Sequence, residues 1–409
     1  MKTFRTACAL VATAMLAACG TGADQPAAVK MGTGVTPTTI QLGVLTDLTG
    51  PFRALAASRV TGYRVLVDEV NQRGGVCGRR LELDVRDHAL DVGKALKGYV
   101  ELEPRVLGFL DVTGTQIMTA VEPDLRQTRM LVAPASWARS LLDNPHVMLV
   151  GATYDTDVLN GLDHLVRHGI IGSGSDIGHL HTAEMAAEEV LKASAFAAAH
   201  WGMTVHPHQV DSASGLDEPL RALRAAGTRA LVLNTDPQRT AAIMTATMRI
   251  GWEVPLLIGA IGYDPTLLDL PLGAALAARA LIVSPSAPYG SDIPGARHVA
   301  EAVARDFPTE KPNGAINHAY AVALAFQAVL TEACRRGDLT RDGIAAALAS
   351  TRHADTQGIT GPLEFSHTGR PSTNRSFISR PNPTVPGTLA LVEDQFESPL
   401  VALRGTRGG

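Results

Sequence analysis

The chain has 409 residues, with 36 Lys and Arg against 40 Asp and Glu and a formal charge of -4. That length allows two lobes, each with its own core. The near balance of charge offers no electrostatic footprint for nucleic acid, and the composition is that of a globular rather than a disordered protein.

Met1 to Ala18 is expected to lie outside the fold. Lys2 and Arg5 give it a charged start, and Ala7 to Ala18 form an apolar run too short to span a bilayer as a stable helix. The run ends in Leu16-Ala17-Ala18-Cys19-Gly20, which is similar to a bacterial lipobox. That resemblance implies cleavage before Cys19 and lipidation of its thiol; an ordinary secretory leader cut elsewhere is the other reading. Loss of Lys2 and Arg5 takes the formal charge to -6. No later stretch is long and apolar enough to cross a membrane. Gly20 to Thr36, rich in Gly, Ala, Thr and Pro and without apolar periodicity, reads as a flexible tether, so residues 19–37 are assigned to a linker.

Gln41 to Asp87 is the most informative stretch. Leu42 to Leu45 is an apolar strand running into a Thr/Gly/Pro turn. The following helix carries Tyr63, Leu66, Val67 and Val70 at i, i+3, i+4, i+7 spacing. Gly74-Gly75 ends it, because the residue past a helix end is cheapest as glycine when φ is positive. The alternating run Leu81 to Val85 is a second strand. Strand, helix, strand in this order indicates an α/β class. The alternation continues with strands at Val106 to Asp111, Met130 to Ala133 and His146 to Val150. Later strands are expected at Ile177 to His181, Thr204 to Val210, Ala230 to Asn234, Leu256 to Ile258 and Ala280 to Ser284. Helices lie between them, including Glu184 to His200, and long helical patterns follow at Ala315 to Arg335 and Arg341 to Ala349. Short βα connections predict parallel sheets covered on both faces. Ligands of such sheets bind beyond the carboxyl ends of the strands. The candidate loops are therefore Thr46 to Leu55, Asp111 to Thr115, Ala135 to Trp137, Thr153 to Asp155, Asn234 to Asp236 and Ala260 to Asp264.

The run LTGPF…VDEVNQRGGVCGRRLEL resembles the opening of extracytoplasmic solute-binding proteins of the leucine/isoleucine/valine-binding type, the ligand receptors of ABC importers. VLGFLDVTGTQ, MLVAPAS, LRALRAAGTRALVLNTD and ITGPLEF resemble later segments of the same family, over about residues 38 to 395. The resemblance implies a two-lobed type I periplasmic-binding fold, each lobe a mostly parallel sheet flanked by helices, with three hinge crossovers. It places lobe 1 at about 38–152 plus 285–350 and lobe 2 at about 153–284 plus 351–398, leaving 399–409 as a tail. Family topology puts Cys77 and Cys334 in the same lobe. Outside the cytoplasm this even pair is expected to form a disulfide; two buried thiols are the alternative.

The resemblance also implies that hydroxyl-bearing turns hold a ligand carboxylate, here Thr113, Gly114 and Thr115 after one strand and Ala135 and Ser136 after the next. Free N–H groups at a helix start favour an anion, although plain helix capping by Thr113 or Thr115 fits the same residues. Trp137 stands where family members have a small hydroxyl residue. It is either a flat wall of the cleft or a core residue. Arg53, in the first turn, could meet an anionic ligand or be a solvated surface residue. Amino-acid binders of the family carry a glutamate that pairs with the ligand ammonium, and the alignment of LIGAIGYDPTLL puts Ile261 there. A buried ammonium without a counter-charge costs several kcal/mol. Either Asp236, Glu184 or Asp264 substitutes, or the ligand is not an α-amino acid. Asp264 reads more simply as a helix N-cap before Pro265. Tyr154 and Tyr263 are candidate cleft residues.

His164 and His168, His179 and His181, and His206 and His208 pair on common faces, but no Cys or carboxylate lies at a recognised spacing to complete a metal site. No nucleophile elbow, P-loop or zinc-protease motif is present. These readings favour a non-enzymatic receptor, without cofactor or metal, anchored by lipid on the extracytoplasmic face. It would deliver a small polar organic ligand to ABC permease subunits by cleft closure. The alternative is an amide-sensor-like lipoprotein signalling through a partner.

Overall fold

The computed structural model describes residues 29–183 and 186–406. The expected leader, Cys19, the tether as far as residue 28, and Glu184 lie outside the described residues.

A short strand, β1 (Lys30–Met31), precedes β2 (Thr39–Thr46) and α1 (Arg53–Gln72). Tyr63, Leu66, Val67 and Val70 are all buried on α1, as their spacing predicts. Gly74 and Gly75, with φ of 97° and 75°, follow its end. β3 (Arg80–Asp87) then lies parallel to β2, with Thr39 opposite Arg80 and Thr46 opposite Asp87. α2 (Val92–Leu102), β4 (Gly108–Thr113), α3 (Thr115–Thr128) and β5 (Leu131–Ala135) complete a four-stranded parallel sheet of order β3-β2-β4-β5. Every residue of β4 is buried, as a strand covered on both faces requires. The strand expected at His146 to Val150 reduces to a single bridge, Val132 to Val147.

α4 (Tyr154–Arg167) opens the second half. It is followed by β6 (Asp176–His181), α5 (Ala187–Trp201), β7 (Thr204–Gln209), α6 (Asp217–Ala225) and β8 (Thr228–Asn234). Then come α7 (Pro237–Arg249), β9 (Leu256–Gly259), α8 (Gly273–Arg279) and β10 (Ala280–Ser284). The chain next returns to the first half with α9 (Pro294–Asp306), α10 (Gly314–Arg335), β11 (Asp338–Leu339) and α11 (Arg341–Ser350). Ile316, Tyr320 and Phe326 of α10 share a core with Val60, Tyr63 and Leu66 of α1, and β11 pairs with β1. Finally β12 (Ser376–Pro381) and β13 (Leu389–Phe396) add an antiparallel edge to the second sheet, of order β13-β12-β10-β9-β8-β6-β7. The result is the two-lobed α/β fold, with three chain crossings between the sheets.

Three details sharpen the expectations. Cys77 and Cys334 are joined, tying the turn after α1 to the end of α10. The tether ends earlier than 37, because β1 already pairs with β11 and Val35 bridges Ile40. The expected tail is instead α12 (Pro399–Thr406): Ser398 is buried, Leu400 is buried, and Arg404 pairs with Asp155 at 2.5 Å.

The crossings meet at Gly151. Its φ is 113°, and a Cβ there would lie 2.6 Å from the Pro285 Cβ, so a side chain would wedge two crossings apart. The Gly151 N–H donates to Ser372 Oγ (3.1 Å) on the third crossing.

Candidate functional site

The carboxyl ends of both sheets face a cavity of about 410 Å³, within the range of roughly 300–1,000 Å³ typical of small-molecule pockets. Parallel strands place their following loops at this edge, which is why the loops after β4, β5, β8 and β9 all contribute. The walls are largely apolar, with Leu55, Leu90, Ile117, Val158, Ile261 and Leu389 among them.

Under the first wall lies a buried ionic network. Arg59 Nε donates to Asp111 Oδ2 (2.8 Å), and the Tyr63 hydroxyl donates to the same oxygen (2.8 Å). Thr113 donates to Asp111 Oδ1 (2.9 Å). Arg59 Nη1 donates to His318 Nδ1 (2.9 Å), while His318 Nε2 donates to the Val150 carbonyl (2.9 Å). Arginine only donates and a carbonyl only accepts, so His318 is the Nε2–H tautomer. Burial, reinforced by the Arg59 charge, lowers His318 to about 3. Burial works against the Arg59 charge, but Asp111 and Tyr63 hold its pKa above the ordinary value. With both ring nitrogens occupied, His318 has no free lone pair with which to act as a base.

A hydroxyl cluster sits at the start of α3. Thr115 Oγ1 and Ser136 Oγ are hydrogen-bonded at 2.7 Å. Burial pushes the Tyr154 phenol up to about 12, although hydrogen bonding with Ser136 and Thr115 pulls it down. The first N–H groups of α3 have no partner within their helix, so this corner can receive an anionic or carbonyl oxygen.

Asp157 is the unusual group of the second wall. It lines the cavity one turn beyond Tyr154 and is buried. Asn160 Nδ2 donates to Ser376 Oγ (2.7 Å), which leaves the Ser376 hydroxyl to donate to Asp157 Oδ1 (2.6 Å). Burial pushes Asp157 up to about 8 against that hydrogen bond, and Asp155 adds to the rise. The rise favours the neutral acid at pH 7. Oδ1 is already an acceptor, and Oδ2 has no partner among the described residues, so the proton belongs on Oδ2.

The expected site residues fall as follows. Thr113, Gly114, Thr115, Ala135, Trp137, Tyr154, Asp236, Ile261 and Tyr263 all line the cavity. Ser136 is fully buried behind it and acts through Thr115. Arg53 is exposed at the start of α1 and outside the lining; the arginines that reach the wall are Arg59 and Arg239. Trp137 resolves its two readings as both at once. It lines the cavity, donates Nε1–H to the Val150 carbonyl (3.0 Å) and packs edge-on against Tyr154 and His318. Neither described substitute for the missing glutamate is free. Asp236 caps α7 and pairs with Arg239 (2.5 Å), and Asp264 caps the turn at Thr266. Tyr263 hydrogen-bonds to Thr388 through its hydroxyl (2.7 Å).

Arg59, Asp157 and His318 were not singled out from the sequence. Arg59 stands four residues before Tyr63 on the buried face of α1, and a charge on an apolar stripe is a visible cue. Asp157 is visible as the residue one turn after Tyr154. Nothing local marks His318, which meets Arg59 across 259 residues of chain. Of the histidine pairs, His179 is a core residue bonded to Ser194 and Asn234, held near 4 by burial, and His206 pairs with Asp176 outside the cavity lining.

A family model described as periplasmic binding protein matches residues 39–382. Among solved structures, the fatty acid ABC transporter substrate-binding protein from Thermomonospora curvata is 32% identical, with a TM-score of 0.87 over 91% of this chain and 96% of that one. A branched chain amino acid ABC transporter from Thermus thermophilus with bound valine is 19% identical, with a TM-score of 0.77 over 93% of this chain and all of that one. The second likeness speaks for the fold alone. No curated protein matches the chain.

Proposed function

The chain belongs to the periplasmic binding protein family, and from that premise we propose that it is the extracytoplasmic receptor of an ABC importer for a monocarboxylate with an apolar body. The observation that carries this reading is the charge state of the cavity wall. Arg59 is paired with Asp111 and Asp236 with Arg239, and Asp157 is buried with a serine hydroxyl as its partner, which favours its uncharged form. Among the described residues no unpaired carboxylate stands at Ile261 to meet an α-ammonium, and leaving such a charge buried and unpaired costs several kcal/mol.

The ligand carboxylate sits at the start of α3, where backbone N–H groups and the hydroxyls of Thr115 and Tyr154 converge. Asp157 Oδ2–H supplies a further donor from the opposite wall. The ligand body lies against Leu55, Ile117, Trp137, Val158 and Ile261, where each buried methylene contributes roughly 0.8 kcal/mol. The 32% identity to a substrate-binding protein titled for fatty acids supports the same direction. Contacts to both walls exist only when the lobes close, so ligand shifts the population toward the closed form. The permease subunits then meet that form, and lipidation of Cys19 would keep the receptor at the membrane.

A thermal-shift panel of straight-chain and aromatic carboxylic acids, amides and amino acids on the purified protein tests the proposal. Carboxylic acids are expected to raise the melting temperature. A response confined to amino acids contradicts it.

A further inference from the structure

A second site lies outside the cavity, at the far end of α4. His164 and His168 share one face of this helix, and β13 brings Glu393 against them from 225 and more residues away. His164 Nδ1 is 2.5 Å from Glu393 Oε2, and His168 Nε2 is 4.0 Å from the same oxygen. All three ligand atoms lie within 4.8 Å of one another. Sequence spacing alone could not supply this carboxylate.

We propose that His164, His168 and Glu393 form a divalent transition-metal site, suited to zinc, that clamps the edge strand β13 to α4. Two imidazoles and one carboxylate are a donor set for zinc, with a water completing the tetrahedron. At Zn–N distances of roughly 2.0–2.1 Å the donor atoms stand roughly 3.3 Å apart. His164 and Glu393 must open by less than 1 Å and His168 must swing in by about as much. His168 can do so, since half of its side chain is solvent-exposed.

The surroundings support the assignment. Arg167 Nη2 holds Glu393 Oε1 (2.8 Å), leaving Oε2 turned to the histidines. A ligating carboxylate is commonly fixed in this way by an outer partner. Arg167 is itself anchored to Asp163 (2.8 Å) and over the Phe396 ring (4.7 Å), which fixes the side chain that holds Glu393. The β12–β13 register is irregular on both sides of the Ile378–Glu393 pair, and bulges of this kind re-aim a side chain. His168 is the C-cap of α4, the end of a helix that favours a cation.

The test uses chelator-treated full-length protein titrated with Zn²⁺ against a chromogenic competitor. One ion per chain is expected to bind with micromolar affinity and to raise the melting temperature by a few degrees. His168→Ala and Glu393→Gln, both at partly exposed positions, are each expected to weaken binding by about 10–100-fold. His206→Ala is expected to change nothing. Absence of 1:1 binding by the unaltered protein, or an affinity that His168→Ala and Glu393→Gln leave intact, overturns the site.

Discussion

The two walls of the cavity solve the problem of polar groups in an apolar space differently. The wall on the four-stranded sheet rests on a complete ionic network, in which Arg59, Asp111, Tyr63, Thr113 and His318 satisfy one another. The wall on the seven-stranded sheet carries Asp157 with a single serine partner and no cation beside it. The first wall neutralises charge by pairing alone, whereas the second combines the Asp236–Arg239 pair with a carboxyl, Asp157, whose uncharged form burial favours. Of the two, the second holds the carboxyl that burial pushes up to about 8. Specificity that depends on pH must therefore come from the second wall.

The largest contrast is expected from cutting each wall's arginine. Arg59→Met leaves Asp111 buried and unpaired, and should cost about 3–5 kcal/mol in urea unfolding. Arg239→Met removes the side-chain partner of buried Asp236, which keeps its bond from the residue 239 backbone N–H, and should cost less, about 1–3 kcal/mol. Equal losses would mean that the two walls are not built differently.

Next in size is the disulfide. It joins two points of the first lobe that are 257 residues apart in sequence, with strands β6 to β10 of the second sheet between them, and its reduction should lower stability by about 2–4 kcal/mol. Hydrogen exchange should accelerate in α1 and α10 while β6 and β8 stay protected. Uniform acceleration would show one cooperative body rather than two.

Asp157 gives the pH test. Its folded pKa, about 8, exceeds the value of 3.8 it starts from. Between these values the folded state binds the proton that the unfolded state releases. Its contribution to stability is therefore most favourable below about pH 4, falls as pH rises through 8, and is constant above. Asp157→Asn should remove this fall. It should also remove an expected loss of about 10-fold in carboxylate affinity between pH 7 and 9, where a second negative charge enters the cavity. The smallest effect belongs to Tyr263→Phe, which loses the hydroxyl's contacts with the Thr388 hydroxyl (2.7 Å) and carbonyl (3.1 Å) and should cost about 1 kcal/mol.

Most of the architecture was legible because it is periodic. The buried stripe Tyr63-Leu66-Val67-Val70 and the Gly74-Gly75 stop announce α1, and the βα alternation announces parallel sheets. The loops named from the sequence all border the cavity, since strand ends decide their place. What escaped was non-local. β13 is an edge strand of partly exposed residues and lacks the apolar run of a covered strand, and β12 beside it, though mostly buried, carries only Phe377 and Ile378 as large apolar residues. The helix after Pro399 is held by contacts with Asn160 and Asp155, which are distant in sequence. In the site, Arg53 drew attention by its turn, whereas Arg59 matters through a carboxylate and an imidazole that only folding brings to it.

The central claim is that the cavity takes a carboxylate with an apolar body and no ammonium. Isothermal titration of the purified protein with a straight-chain monocarboxylate and with leucine, matched in heavy-atom count, tests it most directly. The monocarboxylate is predicted to bind at least about 10-fold more tightly, a difference of about 1.4 kcal/mol. Leucine binding equally or more tightly would contradict the account.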